Sequence, residues 1–283
     1  MIQNLTGDKY ITMGSAENRV AKVKWYKLKI KLNSLAKAAR LGLRLLKISV
    51  SNPQRLSHVL GSALAASDEV VDSSCDVLRL PQVQLNDLLP EAGDPWTIKL
   101  DLFPRSYASI SLLETLGLLL LLKRAKAGNV FEFGTYKGIS ITQFALNLPF
   151  ESRIFTLDLP EGTNETQLDL TDADDARIAQ QDGKGSLVPQ DLRPRITFIK
   201  QDSACLDVST YSGKMDFIFV DGAHNYDYVK NDSDKGWQML RRGGIMAWHD
   251  CRHQDPDVVR FLLESPYKPS LLLGTSVAFA QKP

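Results

Sequence analysis

From about residue 105 onward, short apolar runs alternate with longer stretches whose apolar positions recur every three or four residues. NVFEFG at 129–134, RIFTLD at 153–158, ITFIKQD at 196–202, FIFVD at 217–221 and GIMAWHD at 244–250 read as buried strands. Helical patterns fall at 108–126, at ISITQFALNL (139–148), between the fourth and fifth of those strands, and near 256–264. Two further runs, SLLLG and SVAFAQ, close the chain as a hairpin-like pair and make the last strand a candidate antiparallel edge. Strands alternating with helices predict an α/β fold, a mostly parallel sheet with helices on both faces. The polar, acidic segment 160–192 is long for a bare connection. It predicts a partly helical insert around TDADDARIAQQ, or a lid. Upstream, WYKLKIKL at 25–32 alternates like a strand and SLAKAARLGLRLLKI at 34–48 suits a basic amphipathic helix, broken at Asn52-Pro53. The organisation expected is an N-terminal basic and mixed appendage over 1–104 and an α/β domain over 105–283.

The stretch from Met215 to Asp250 is the richest in chemistry. Two apolar strands each end in acid or imidazole, and one helix-length segment closed by Arg-Arg-Gly-Gly separates them. In open α/β sheets ligands bind beyond the C-terminal ends of the strands. Asp221, His224, His249 and Asp250 are therefore expected to converge, and carboxylates beside imidazoles suit a metal site or acid/base chemistry. Trp237, Met239 and Leu240 follow at core spacing; Tyr226 and Tyr228 are candidates for a substrate pocket.

Composition changes this picture little; charge distribution changes it more. The 283-residue chain is 43% hydrophobic with a net charge of +1. Residues 19–47 hold ten Lys and Arg and no acid, so the remainder carries a net charge of −9. That arm, interleaved with Trp25 and several leucines, is a candidate for peripheral membrane or subunit contact. No RNA-reading aromatic motif accompanies it, so no specific nucleic-acid partner is expected. Cys75, Cys205 and Cys251 form no CxxC pair, and residues 1–20 are mostly polar. Both features suggest a reducing, cytoplasmic setting. LLETLGLLLLLK at 112–123 is too short for a membrane span and reads as a buried helix.

Glu132-Phe133-Gly134-Thr135-Tyr136-Lys137-Gly138 joins the first strand to a helix. The small residues let backbone approach a ligand, but the spacing is not G-x-G-x-x-G, which argues against a dinucleotide fingerprint. Glu132 suits a ligand carrying a positive group. Asp158 stands where ribose hydroxyls would be accepted, and Asp202 with Ser203 could meet an adenine edge.

VFEFGTYKGISITQFA resembles the first motif of class I S-adenosylmethionine-dependent methyltransferases. VDGAHNYDYVKNDSDKGWQMLRRGGIMAWHD is similar to the branch related to cephalosporin-hydroxylase-type proteins and macrolide-sugar O-methyltransferases. The resemblance spans about 105–283. It implies a seven-stranded Rossmann-like methyltransferase sheet with an antiparallel last strand. It also implies Glu132, Gly134 and Gly138 around the amino-acid part of S-adenosylmethionine, Asp158 at the ribose, and Asp202 with Ser203 at the adenine.

The resemblance further implies a divalent cation, Mg²⁺ or Mn²⁺, between an acid ending the fourth of these strands and an acidic pair ending the fifth. Asp221 matches the first position and His249-Asp250 the second; His249 departs from the acid usual there, and either favours softer ions such as Mn²⁺, Zn²⁺ or Fe²⁺ or does not ligate. Neighbours on a strand point to opposite faces, so both reach one ion only if the strand has ended by Asp250. His224 matches the histidine that acts as general base in sugar O-methyltransferases of this type, and a helix N-terminus would keep its imidazole uncharged. His253 is a weaker candidate. The activity expected is metal-assisted O-methyl transfer to a small hydroxylated acceptor, a sugar or glycosylated natural product. The alternatives are a non-haem iron oxygenase built on His224, His249 and an Asp, or a catalytically inactive binding protein.

Overall fold

The computed structural model describes residues 79–89, 96–101, 110–163, 166–252 and 254–283. The basic arm 19–47, the strand and helix expected within it, His58, Cys75 and His253 lie outside the described residues.

Eight strands form one sheet: β1 (Gln82–Val83), β2 (Asn129–Phe133), β3 (Arg153–Asp158), β4 (Ile196–Lys200), β5 (Met215–Val220), β6 (Leu240–Trp248), β7 (Ser270–Leu272) and β8 (Ala278–Gln281). Their order is β1-β7-β8-β6-β5-β2-β3-β4. The helices are α1 (Leu112–Arg124), α2 (Ile139–Asn147), α3 (Ala173–Ala179), α4 (Tyr226–Met239) and α5 (Pro256–Glu264). All seven expected strands are present, and β2 to β6 pair in parallel. Two expectations are corrected. The last strand is antiparallel, but it lies between β6 and β7 and is not an edge. An eighth strand, β1, comes from the segment assigned to the appendage and pairs in parallel with β7. Lys99 and Asp101 likewise bond to Asn147 and Gln143 of α2, so the domain built on this sheet draws in residues from before 105.

The two-residue period of the strands divides the core between the sheet's faces. Val130, Phe217, Phe219, Ile245 and Ala247 pack with Leu118–Leu122 of α1 and with Ile141 and Phe144 of α2. Phe131, Phe133, Ile218, Val220, Met246 and Trp248 pack with Val229 and Met239 of α4 and with Val258, Phe261 and Leu262 of α5. α1 starts cleanly because Ser111 and Glu114 form a reciprocal capping box. Trp248 gives up no hydrogen bond on burial, since its indole N–H donates to Ser233 Oγ at 2.8 Å.

Two buried acids serve the sheet itself. Asp216 of β5 accepts from the backbone N–H groups of Gly128 and Asn129 at 2.8 and 2.7 Å and pairs with Arg241, which also donates to Ala125 O. One carboxylate thus ties the start of β2 to β5 and β6. Glu132 sits within β2, fully buried, and accepts from Ser140 Oγ at 2.5 Å and Thr156 Oγ1 at 2.6 Å. Burial lifts its pKa to about 8 against these hydroxyl hydrogen bonds, with the charges of Asp221 and Asp158 adding to the rise.

Asp216→Ala should cost about 2–3 kcal/mol of stability, because it orphans two amides and a guanidinium; the figure is set below that for a fully buried pair because Arg241 is partly exposed. Urea unfolding measures it, and a loss under 0.5 kcal/mol would contradict this role. Glu132→Gln tests the buried acid. The folded-state pKa lies above the unfolded value, so the wild type's advantage from this group is complete below about 4.5 and is lost as pH rises towards 8. The melting temperature of the variant, relative to wild type, should therefore climb between pH 5 and pH 8; a flat difference would show the carboxyl ionised throughout.

Candidate active site

The chain leaves β2 for α2 on one side and crosses back to β5 on the other, so the C-terminal ends of β2 and β5 open a crevice at the point where strand order reverses. Gly134 closes the floor. Its N–H donates to Leu157 O at 2.8 Å, and Asp221 N donates to Phe133 O at 2.8 Å. A Cβ at Gly134 would stand 1.9 Å from the Asp221 carbonyl oxygen, and φ is +93°. Only glycine fits there. Gly138, with φ +86°, precedes α2, and its missing Cβ leaves room for Val188. It therefore receives the 183–188 segment, not the cavity. That segment is bonded to the turn through Gly185 N to Tyr136 O and Leu187 N to Lys137 O.

Asp158, ending β3, holds the turn. Its Oδ2 accepts from Thr135 N and Tyr136 N at 3.1 and 2.7 Å; its Oδ1 accepts from Leu159 N and pairs with Lys184 Nζ at 2.9 Å. Beyond β4, Asp202 accepts from Ala204 N, Gln167 N and the Tyr228 hydroxyl. Beside it lie Ser203, Asn231 and the buried Asp232, whose pKa burial raises to about 7. Of the two candidate tyrosines, Tyr228 reaches this cavity, whereas the Tyr226 hydroxyl donates to Glu264.

Asp221, His249 and Asp250 meet as expected: one ligand atom from each lies within 4.8 Å of the others. The strand alternation is broken in the way the sequence requires. β6 ends at Trp248, His249 N still bonds Val220 O, and Asp250 takes a left-handed φ of +55°. That turn brings Asp250 Oδ2 to 2.9 Å from His249 Nδ1, which is also 3.1 Å from Asp221 Oδ1. His249 Nε2 is buried without a hydrogen-bond partner and faces Glu114 Oε1 at 3.5 Å. Burial alone would push the His249 pKa down; Asp250 and Asp221 outweigh it and hold the ring well above its ordinary value. Burial alone would likewise raise the Asp250 carboxyl, but the neighbouring imidazoles hold it well below the usual range. Arg252 takes the other Asp250 oxygen at 2.8 Å.

His224 differs from expectation in its surroundings. It precedes α4, with Asn225 as N-cap. Its Nδ1 is 2.5 Å from Asp175 Oδ1 and its Nε2 is 2.7 Å from Asp250 Oδ2. Burial lowers its pKa, but bonds and charges from the two carboxylates lift it to about 11. The helix N-terminus, expected to keep the ring uncharged, is outweighed by two carboxylates. His224 stands outside the metal-competent group, which is Asp221, His249 and Asp250. The two-histidine set of the oxygenase alternative is not favoured.

A single cavity of about 680 Å³ is lined by Gly134, Asp158, Asp202, Ser203, Asp221, His224, His249 and Asp250. Glu132 and Gly138 are not among its walls and support the turn from behind. The sequence reading missed Asp175, Lys184, Asp232 and Glu114. Only Glu114 had a legible local signal, the S-x-x-E capping box at 111–114.

Residues 131–251 match the protein family described as Methyltransferase domain. A comparison with curated proteins finds no match. Among solved structures, the chain is similar to the methyltransferase PaMTH1 of Podospora anserina bound to SAH (18% identity, TM-score 0.43, covering 62% of this chain and 80% of that one). It is also similar to the O-methyltransferase TomG of Streptomyces achromogenes in complex with SAM (15%, TM-score 0.43, 62% and 82%). A third likeness is an O-methyltransferase from Bacillus cereus in complex with SAH (16%, TM-score 0.41, 62% and 84%). The family match begins inside β2 and ends just beyond β6, so the stretch similar to a methyltransferase domain takes in both halves of the crevice.

Proposed function

We propose that this chain is an S-adenosylmethionine-dependent O-methyltransferase that methylates a hydroxyl of a small acceptor, a sugar or glycosylated natural product, with help from a divalent cation. The observation that carries the reading is the one cavity shared by Gly134, Asp158, Asp202 and Ser203 on one side and Asp221, His224, His249 and Asp250 on the other. The first group suits the cofactor. The Gly134 turn offers bare backbone, Asp158 and Asp202 offer acceptors for hydroxyls and an amino group, and the acidic lining suits a ligand with a sulfonium and an ammonium. The second group suits a cation. It offers two carboxylates and an imidazole, whose Nδ1 stands 3.1 Å from Asp221 Oδ1 and 2.9 Å from Asp250 Oδ2. A divalent ion there would lower the pKa of an acceptor hydroxyl.

His224 is the residue that moves the proton. A hydroxyl attacking a methyl sulfonium must shed its proton, and Nε2 of His224 lies beside Asp250, at the edge of the cation group. With both carboxylates free to bond it, the ring holds its proton. Were a cation held by Asp221, His249 and Asp250, Asp175 alone would remain to bond the ring, and Nε2 would be free to accept.

Titration calorimetry with S-adenosylmethionine should show binding, whereas Fe²⁺ with 2-oxoglutarate should show none beyond that of the ion. Labelled methyl transfer to a panel of sugars, glycosides and catechols should then be abolished by EDTA and restored by Mg²⁺ or Mn²⁺. Asp221→Asn should weaken the response to metal and leave cofactor affinity within about twofold. Full transfer in chelator would make the acids structural. His224→Ala should lower kcat by about 10²–10⁴, with cofactor affinity unchanged; wild-type turnover from pH 6 to 9 in that variant would assign the proton to another group.

A further inference from the structure

Asp175 belongs to α3, inside the insert that separates β3 from β4, and none of the expected site residues lies there. Asp172 caps the helix and accepts from Asp174 N and Asp175 N, which fixes the first turn. Asp175 itself is 6% exposed. Its two oxygens hold one residue at two points: Oδ2 accepts from His224 N at 2.7 Å, and Oδ1 meets His224 Nδ1 at 2.5 Å. A carboxylate bonded to both the main chain and the ring of a histidine leaves the ring one orientation. In that orientation Nδ1 is consumed and Nε2 points to Asp250 and the cation group.

The helix that carries this clamp is docked on the site from several directions. Lys184 pairs with Asp158, Gly185 N bonds Tyr136 O, Gln167 N bonds Asp202, and Asn225 Nδ2 bonds Asp169 O. The insert is thus a wall of the cavity, bonded both to the Gly134 turn and to the start of α4. Among its described residues, the one buried acid on the acceptor side, Asp175, is aimed at His224.

We infer that Asp175 is a positioning residue for His224: the insert supplies a carboxylate that fixes the ring and presents Nε2 to the acceptor hydroxyl. This rests on the reading of His224 as the base. The logic is that of an acid behind a catalytic histidine, where the acid orients the ring and itself keeps its charge.

The test uses the full chain with ¹⁵N-labelled histidine, without metal, cofactor or acceptor. One ring N–H should resonate far downfield and exchange slowly. It should vanish in His224→Gln and Asp175→Asn and survive in Asp250→Asn. Survival in Asp175→Asn, or absence from the wild type, overturns the inference. On the panel acceptor with the fastest transfer, Asp175→Asn should lower kcat at least about tenfold with KM and cofactor affinity nearly unchanged, and Asp175→Glu should recover part of the loss. The double variant Asp175→Asn/His224→Ala should be no slower than His224→Ala, since the two residues act as a unit. Losses that multiply would assign Asp175 to the fold and overturn the inference. Wild-type turnover in His224→Ala removes the base reading itself, whereas a slow His224→Ala beside a fast Asp175→Asn removes only the positioning role.

Discussion

The close passage of Gly134 under the Asp221 carbonyl sets the geometry on which the site depends. β2 and β5 are neighbours in the sheet but far apart in sequence, and the reversal of strand order falls between them. With any side chain at 134, the first residues beyond the two strands would be forced apart by more than the 1.9 Å contact allows. Because the backbones lie together, Asp221 starts its loop at the same height as the Gly turn. A ligand seated on the turn is then within reach of Asp221, and through Asp221 of His249 and Asp250. The fold delivers the crevice; this single contact makes it one cavity.

Burial of charge is the second theme, and it is handled by sharing. Asp158 serves two turn amides and Lys184, Asp202 serves two amides and a tyrosine, and Asp250 serves three cationic side chains. Glu114 does the same on the far side. It caps α1, binds both donors of Ser276 and faces His249, whose influence outweighs burial and keeps its carboxyl well below the usual range. Each of these acids joins two or three elements. Removing one would loosen the junction as well as remove the charge.

What the sequence made legible follows from range. Strands β2 to β6 and helices α2 and α4 announce themselves by local periodicity, and the acids at their ends follow from the rule that ligands bind beyond C-terminal strand ends. Asp221, His249 and Asp250 come together because that rule is local to each strand. β1 was not legible, since two residues carry no period and its pairing depends on β7, nearly 190 residues later. The position of β8 inside the sheet was equally hidden, because a hairpin-like pair reads the same at an edge as within it. Asp175 looked like one of three acids in TDADDAR; only the docking of the insert distinguishes it.

The state of His224 shows most sharply where local reasoning ends. Its position follows from four residues, DGAH, and a helix start. Its charge follows from Asp175, 49 residues upstream, and Asp250, 26 residues downstream. A helix N-terminus is worth typically 0.3–1 kcal/mol against a cation there. Two carboxylates in hydrogen-bond contact at a largely buried ring are worth several times that, so the sign reverses and the imidazole holds its proton. The same arithmetic makes Asp250 the pivot. Among the described residues it is the carboxylate that bonds both His224 and His249, so whatever engages Asp250 also changes the surroundings of the His224 ring. Asp221, His249 and Asp250 on one side and His224 on the other are thereby joined through one residue, held in its left-handed turn at the end of β6.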